Sequence, residues 1–411
     1  MKKASVSVRM WISGLLCAWA VLMMDSCIFN APIEHKINRT VLVYVGADNN
    51  LTNTANSNIY SMNSCISSGM DNYNLLVFVD RREVAPALLH VHNFKIDTIA
   101  KYPERDSSDP TVMREVIDYM LENWKADEYG LVLWSHGTGW VPTNMLHYVA
   151  PNMKYAPARD GGQPDKNGVG ELFGPDTKAF AWEDRKGETP AYSCMDLDEL
   201  EEGIPDNVFD FILFDACYMG NVEIAYQLRN KADYIISSCY EIVSYGFPYH
   251  IVTRDFLTGN LMKVCTEFYD YYNSMSGWEK MAGISLVQTN ELDSLARCFR
   301  KVVAECGDRI DSLDISKIQC FDRFTRHVFF DLEDVVVKLA PHRELMNEFR
   351  LQLQKCVVYK TSTPYIFPGD REEIPVNSYC GLSVYIPLAE YEASGLNDAY
   401  RETAWSDYTD Y

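Results

Sequence analysis

Residues 209–220 read FDFILFDACYMG, and the interpretation of the whole chain depends on this stretch. The apolar run at 211–214 predicts a buried strand, and Asp215 and Cys217 stand where that strand ends. A free cysteine is among the most buried residue types, so Cys217 could be a small core residue. It could equally be a nucleophile carried to the edge of a sheet. A second strand helps to decide between these two interpretations.

That second strand also ends in a reactive side chain. In LVLWSHGTGW, residues 131–140, a predicted strand at 131–134 is followed by His136 and Gly137. Sites in open α/β sheets form outside the carboxyl ends of the strands, so parallel neighbours would bring His136 and Cys217 together. An imidazole can activate a thiol as a nucleophile and later protonate a leaving amine. The backbone N–H groups of Gly137 and Cys217 are the predicted oxyanion donors.

The remaining hydrophobic pattern indicates the fold class. Further strands are predicted from TVLVYV at 40–45 and NLLVFVD at 74–80, and apolar residues spaced three and four apart predict a helix over 111–124. Near-continuous apolar strands alternating with helices are typical of an α/β protein whose mostly parallel sheet is covered on both faces. CGLSVYIPL, residues 380–388, is a candidate for another strand of the main sheet.

Composition excludes several classes of protein. The chain has 411 residues, is 47% hydrophobic and carries a formal net charge of −21, which argues against binding to nucleic acid or to anionic membrane surfaces. GTGW at 137–140 matches neither the GxGxxG nor the GKS/T pattern of a nucleotide-binding loop, and an irregular segment follows it instead of a helix. The 12 cysteines include no CxxC pair and the histidines no HExxH pattern, so we expect no structural metal. Several cysteines instead lie in apolar patterns typical of buried thiols: Cys239, Cys265, Cys298, Cys356 and Cys380.

The N-terminus predicts export. Basic residues precede the apolar run MWISGLLCAWAVLMM at 10–24, which is shorter than a membrane-spanning helix needs. Ser26-Cys27 then resembles a bacterial lipoprotein cleavage site, with Cys27 as the lipidated residue. A simple cleaved signal and a plain N-terminal anchor are the alternatives. We therefore expect a signal peptide at 1–27, a linker at 28–39, and a location on the bacterial cell envelope or outer surface, with the lipid as the sole membrane attachment.

Four stretches carry a resemblance to a known family: LVLWSHGTGW, FDFILFDACYMGNVEIAYQL, DYIISSCYEIVSYGFPY and CGLSVYIP. With these, the chain resembles the clostripain-like cysteine peptidases, relatives of gingipains, legumains and caspases. The resemblance implies a caspase-like three-layer α/β/α sandwich with a mostly parallel central sheet. A catalytic core would span 40–248, with a long loop insertion at about 140–192. Helices and strands at 249–411 would complete the peptidase unit.

The resemblance also implies roles for individual residues. His136 would be the general base and acid, and Cys217 the nucleophile of a Cys-His dyad. Asp215 matches the acidic residue that lines the pocket for a basic P1 side chain, which would be Arg or Lys. Family members usually have acidic residues directly after the strand ending in IISS, where this chain has Cys239-Tyr240-Glu241. Glu241 either replaces them from a shifted position or faces solvent.

The insertion at 140–192 has two interpretations. Relatives are often made as zymogens that are cut between the two catalytic segments, and an enzyme that prefers basic residues could cut itself in this loop. The basic residues that are candidates for processing are Lys154, Arg159, Lys166, Lys178, Arg185 and Lys186. The alternative is an ordinary solvated loop. Asp160, Asp165 and Asn167 beside glycines suggest calcium, although they lack the ligand spacing of a known calcium loop.

The sequence therefore predicts an exported, lipid-anchored cysteine endopeptidase that acts on peptides or proteins and needs no cofactor. A catalytically silent surface binding lipoprotein on the same scaffold is the alternative from a different class. Another thiol enzyme, such as a transferase, would use the same two residues. The sequence does not define an oligomeric state.

Overall fold

In the computed structural model, the chain is described at residues 36–66, 69–150, 180–184 and 192–411. The strands are β1 (Arg39–Ala47), β2 (Tyr73–Arg81), β3 (Val84–His92), β4 (Lys95–Lys101), β5 (Glu128–Trp134), β6 (Phe180–Asp184), β7 (Tyr192–Met195), β8 (Phe209–Asp215), β9 (Ala232–Ser237), β10 (Gly283–Gln288), β11 (Phe330–Asp331), β12 (Val357–Ser362), β13 (Tyr365–Ile366), β14 (Ile374–Pro375) and β15 (Ser383–Val384).

The helices are α1 (Thr52–Cys65), α2 (Pro110–Asn123), α3 (Leu146–Val149), α4 (Leu197–Gly203), α5 (Val222–Gln227), α6 (Tyr249–Leu257), α7 (Leu261–Asn273), α8 (Leu292–Cys306), α9 (Leu332–Leu339), α10 (Arg343–Cys356), α11 (Leu396–Arg401) and α12 (Ala404–Thr409). Short 3₁₀ turns lie at Thr143–Met145, Gly277–Glu279, Thr289–Glu291, Gly307–Ser312, Ile315–Lys317 and Ala389–Ser394.

Nine strands form one sheet in the order β12-β10-β9-β8-β5-β1-β2-β3-β4. The five central strands from β9 to β2 run parallel, and two antiparallel strands extend the sheet on each side. One group of helices packs α1 against α6 and α6 against α7, and another joins α2, α4, α5, α12, α8 and α10. The predicted mostly parallel sheet is therefore confirmed.

The central strands are buried because they are apolar on both faces. Every residue of β1 is buried, as are the last five residues of β5 and of β8. Helices cover such strands with an apolar stripe, and α2 presents buried residues at Val112, Met113, Val116, Ile117 and Met120. This helix begins where the sequence predicts, because the Asp109 side chain accepts the backbone N–H of Thr111 at 2.8 Å.

A charged cluster joins the three middle strands at the edge opposite their carboxyl ends. Arg39 at the start of β1 is only 6% exposed, and its guanidinium lies 3.1 Å from the Asp210 carboxylate of β8. The same guanidinium also pairs with Glu128 at the start of β5. This cross-strand contact supports the parallel register of β1, β5 and β8.

Two regions differ from the sequence-based expectations. CGLSVYIPL does not join the main sheet: β15 pairs with β11 in a separate two-stranded sheet, so that prediction is wrong. The Asp331 carboxylate accepts the N–H of Cys380 at 2.5 Å, which ties this segment to a side chain instead of a long ladder. Within the 140–192 region, part of the chain is regular: a 3₁₀ turn at Thr143–Met145 leads into α3, and β6 pairs antiparallel with β7, which begins at the last residue of the region.

Candidate active site

The register of two parallel strands places His136 and Cys217 at the same edge of the sheet. Trp134, the last residue of β5, pairs with Asp215, the last residue of β8. His136 and Cys217 each follow their paired residue by two positions. The ladder continues past the strands, because the N–H of Ser135 donates to the carbonyl of Asp215 at 3.4 Å. The two segments therefore leave the sheet side by side.

Gly137 and Cys217 are in direct backbone contact. A Cβ atom placed on Gly137 would lie 2.6 Å from the carbonyl oxygen of Cys217 and 3.0 Å from the Cβ of Ala216. No side chain fits there unless one of the two segments moves. The site thus needs glycine after His136, and this packing brings the two predicted oxyanion residues together.

The turn that carries Cys217 is held in an unusual conformation. Tyr218 has a φ of 59°, in the left-handed region that non-glycine residues rarely adopt. Its N–H donates to the carbonyl of Tyr240 at 3.2 Å, and its ring stacks on Phe329 with 5.0 Å between centroids. The Asn221 side chain then caps α5 by accepting the N–H of Ile224 at 3.1 Å. These contacts fix the backbone on the carboxyl side of Cys217.

The thiol of Cys217 is half-buried and lies against the segment after β9. Its Sγ accepts the N–H of Ile242 at 3.4 Å. Burial raises the pKa of Cys217, and the negative charge of Glu241 raises it further, whereas the Ile242 N–H lowers it. The resting side chain is therefore a neutral thiol, and an attack on substrate requires a base to remove its proton.

His136 is buried, with 7% of its surface exposed, and its Nε2 lies 2.8 Å from Oδ1 of Asn50. Burial lowers the pKa of His136 to about 4, because an imidazolium is poorly solvated away from water. At neutral pH the imidazole is uncharged, which is the protonation state that a general base requires.

Asp215 is buried beside the site, and one of its oxygens is fully engaged. Its Oδ2 accepts the N–H of Phe247 at 3.0 Å and the hydroxyl of Tyr249 at 2.9 Å. A Cβ on Gly246 would lie 2.5 Å from this oxygen, so the loop after β9 closes tightly over it. Burial raises the pKa of Asp215 to about 6, even though these two donors lower it.

Glu241 is also buried, with 4% of its surface exposed, and it does not face bulk solvent. Its Oε1 accepts the hydroxyl of Tyr218 at 2.7 Å and lies 3.9 Å from Nε of Arg323. Burial raises the pKa of Glu241, whereas the Arg323 charge and the Tyr218 hydroxyl lower it. Arg323 also pairs with Asp370 at 3.0 Å and lies over the ring of Phe367. Glu241 therefore already has a cationic partner within the chain.

Two residues of β6, in the 140–192 region, pack against the sheet edge beside Gly137, the residue after His136. Phe180 forms an isolated antiparallel bridge with Gly137, and the Cβ of Ala181 lies 3.0 Å from the position of a Cβ on Gly46. Phe180 and Ala181 are both completely buried, and Ala181 has a φ of 56°. This segment covers the carboxyl ends of β1 and β5, next to the candidate dyad.

One group in the described part of the chain has metal-ligand chemistry. Cys320, Asp322 and His327 have ligand atoms within 4.8 Å of one another. The Asp322 carboxylate is already engaged, because Oδ2 accepts the N–H groups of Val328 and Phe329 at 3.0 and 2.9 Å, and Oδ1 lies 2.8 Å from Nδ1 of His327. These contacts hold together the loop that carries Arg323, and this structural role explains why the three residues lie close together.

The sequence analysis missed three features of this site: Asn50, Arg323 and the Phe180–Ala181 segment. Asn50 was detectable, because ADNN follows the predicted strand at 40–45 and so belongs to the same sheet edge. Several other predictions lie outside the described residues: Cys27, Asp160, Asp165, Asn167, Lys154, Arg159, Lys166, Lys178, Arg185 and Lys186. In the described ranges, no helix has the length and apolar character needed to cross a membrane.

Comparisons with known proteins bear on the family and the fold of this chain. Clostripain from Hathewaya histolytica is 27% identical over 245 residues, which are 51% of this chain and 40% of that protein's length. The structure of an inactive zymogen C11 protease from Parabacteroides distasonis superposes with a TM-score of 0.73 and 29% identity, covering 90% of this chain and 97% of the other. The structure of a secreted C11 cysteine protease from Bacteroides thetaiotaomicron, in complex with an irreversible peptide inhibitor, superposes with a TM-score of 0.72 and 29% identity. This superposition covers 91% of this chain and 99% of the other.

These likenesses confirm the predicted caspase-like α/β fold. The sequence model of the Clostripain family matches residues 43–154 and 162–401, which include both strand ends of the candidate site. The chain therefore belongs to the Clostripain family.

Proposed function

We propose that this chain is a cysteine endopeptidase in which Cys217 is the nucleophile and His136 the general base and acid. The observation that supports this most directly is the pairing of Trp134 with Asp215, from which the two residues are equally displaced along neighbouring parallel strands. Membership of the Clostripain family and the likeness to two solved C11 proteases point to the same chemistry.

In this proposal the reaction begins with proton transfer. Neutral His136 takes the thiol proton, and the Cys217 thiolate attacks the carbonyl carbon of the scissile bond. The oxyanion that forms is bound by the backbone N–H groups of Gly137 and Cys217. The C–N bond then breaks, and His136 returns its proton to the leaving amine. Water deprotonated by His136 hydrolyses the thioester and restores the free thiol. No cofactor takes part in this sequence.

Asp215 is the proposed contact for a basic P1 side chain. Its Oδ2 is held by Phe247 and Tyr249, whereas Oδ1 receives no hydrogen bond from the residues that the structure describes. A buried carboxylate with one oxygen that accepts no hydrogen bond from these residues favours a cationic partner such as Arg or Lys. Glu241 stays a second predicted contact, but its pairing with Arg323 makes Asp215 the stronger candidate.

The test of the dyad is hydrolysis of a fluorogenic peptide with Arg at P1. We expect Cys217→Ala and His136→Ala to lose turnover, while Cys298→Ala, which removes a buried thiol from α8, retains it. A thiol-reactive peptide inhibitor should add its mass to Cys217 in wild type. Equal turnover in Cys217→Ala and wild type would refute the peptidase proposal. If no peptide is hydrolysed across varied P1 residues, the catalytically silent binding lipoprotein is favoured. If the enzyme transfers the acyl group without hydrolysis, a transferase is favoured.

We also propose that the enzyme processes itself between β5 and β8. The basic candidates are Lys154, Arg159, Lys166, Lys178, Arg185 and Lys186. A solved relative is an inactive zymogen, and Phe180–Ala181 covers the sheet edge beside His136. Wild type should run as two fragments while Cys217→Ala stays intact, and N-terminal sequencing of the second fragment identifies the cleaved bond. An intact wild type with full activity would contradict self-processing.

Export and lipidation at Cys27 complete the proposal. A solved relative is described as secreted, and the basic and apolar pattern of residues 1–27 is that of a lipoprotein signal. Mass spectrometry of the mature N-terminus should find diacylglycerol on Cys27, and Cys27→Ala should release the protein from the membrane fraction. Calcium binding by Asp160, Asp165 and Asn167 is tested by chelation, because unchanged turnover in EGTA excludes a calcium requirement.

A further inference from the structure

Asn50 lies at the same sheet edge as the proposed dyad, in the turn that follows the neighbouring strand β1. Val45 of β1 pairs with Trp134 of β5, and the chain turns after β1 so that Oδ1 of Asn50 lies 2.8 Å from Nε2 of His136. We propose that Asn50 is a positioning residue of the peptidase, which holds His136 as the Nε2–H tautomer so that Nδ1 exchanges the proton with Cys217. This inference rests on the function proposed above.

The turn that carries Asn50 is braced. Oδ1 of Asn49 accepts the N–H of Leu51 at 2.8 Å, and Nδ2 of Asn49 donates to the carbonyl of Gly46 at 3.3 Å. The same carbonyl accepts the hydroxyl of Ser135 at 2.7 Å, which links the end of β1 to the residue before His136. Both partners of the Asn50–His136 hydrogen bond are therefore fixed to one backbone site.

An amide at this position has a different effect from a carboxylate. The oxygen of Asn50 accepts a hydrogen bond from Nε2–H and fixes the tautomer, but it has no charge to stabilise an imidazolium. His136 therefore stays neutral and can act as a base at neutral pH, in keeping with the lowering of its pKa by burial. An aspartate would keep the acceptor and add a negative charge, which would raise the pKa of His136.

Three variants separate these effects. Asn50→Leu has a similar size without an acceptor, Asn50→Asp keeps the acceptor, and Asn53→Leu changes an exposed asparagine of α1 as a control. We expect Asn50→Leu to lower kcat about tenfold, as loss of one well-placed hydrogen bond would, with KM within about threefold. Asn50→Asp should restore most of kcat and move the acidic limb of kcat/KM to higher pH. A purely structural role would lower thermal stability but leave that limb in place.

A second measurement is independent of peptidase activity. In Cys217→Ala protein labelled with ¹⁵N-histidine, NMR should find His136 as the Nε2–H tautomer, identified by the signals that His136→Gln removes. Adding Asn50→Leu should give a mixture of tautomers, and adding Asn50→Asp should keep the imidazolium to higher pH. Unchanged tautomer and titration in Asn50→Leu would overturn the inference. If Cys217→Ala loses no activity, the proposed function fails, and the NMR result still decides the role of Asn50.

Discussion

Replacement of Asp215 by asparagine tests whether this residue recognises the charge of the P1 side chain. Asparagine has the size of aspartate and can still accept the hydrogen bonds from Phe247 and Tyr249, which are 3.0 and 2.9 Å long in the native protein. Only the negative charge is lost. Because Asp215 is 5% exposed, little water competes for its second oxygen, so a cation bound there would gain a charge-assisted hydrogen bond.

The size of the effect follows from that bond. Hydrogen bonds to charged groups contribute about 1.5–3 kcal/mol. At about 1.4 kcal/mol per factor of ten, this corresponds to about 10- to 150-fold in kcat/KM. The loss should be confined to substrates with a cationic P1 side chain, because a neutral side chain never gains that interaction.

The assay compares two peptides that differ only at P1, one with arginine and one with citrulline, its neutral isostere. In wild type the ratio of their kcat/KM values should be about 10 to 150, and in Asp215→Asn it should fall close to one, with citrulline turnover retained. Asp233→Asn, which changes an exposed carboxylate of β9, is the matched control. An unchanged ratio in Asp215→Asn would refute Asp215 as the P1 selector, and a ratio lost in Glu241→Gln would transfer that role to Glu241.

Three further predictions concern the same site. Burial raises the pKa of Asp215 to about 6, so the carboxylate is charged above that pH. The arginine-to-citrulline ratio in kcat/KM should therefore fall as the pH drops through 6. A ratio that stays constant from pH 5 to 8 would contradict this prediction. Gly137→Ala would place a Cβ 2.6 Å from the carbonyl oxygen of Cys217. We expect kcat to fall on the order of 100-fold, as it does when an oxyanion donor is lost. A variant with wild-type kcat would disprove the close packing. Arg323→Met leaves both Asp370 and Glu241 without their cation and should lower the free energy of unfolding by roughly 3–5 kcal/mol at pH 8, where Glu241 is charged. The pKa of Glu241 is higher in the folded than in the unfolded protein, so protonation at low pH relieves this penalty. Urea titrations should therefore show a larger loss of unfolding free energy in Arg323→Met at pH 8 than at pH 6. Equal losses at the two pH values would argue against this prediction.

The strand ends were predictable from the sequence because a few consecutive residues determine them. A run such as FILF at 211–214 is apolar on both faces, which is typical of a strand buried between helices, and the residue that follows such a strand reaches the sheet edge. The pairing of β5 with β8 then follows from the parallel order of the middle strands. The sequence left open whether β5 and β8 are neighbours, and it is their pairing in the structure that puts His136 and Cys217 at the same sheet edge.

Other parts of the site were not predictable, because they depend on distant contacts. Arg323 lies 82 positions after Glu241 in the chain, and no local sequence pattern marks their pairing. The segment 380–386 around β15 is as buried as a main-sheet strand, but the Asp331 carboxylate and the two-residue ladder with β11 hold it elsewhere. Hydrophobic periodicity specifies burial, whereas the partner of a buried segment depends on the whole fold.

The adjacency of β5 and β8 has a consequence for how the protein could be assembled. Five residue pairs, from Gly130 with Phe211 to Trp134 with Asp215, join strands that lie on opposite sides of the 140–192 region. A break in that region would leave this ladder uncut, so the two resulting polypeptides would stay joined along it. One polypeptide would bring the imidazole and the other the thiol, and the active centre would exist only in their complex.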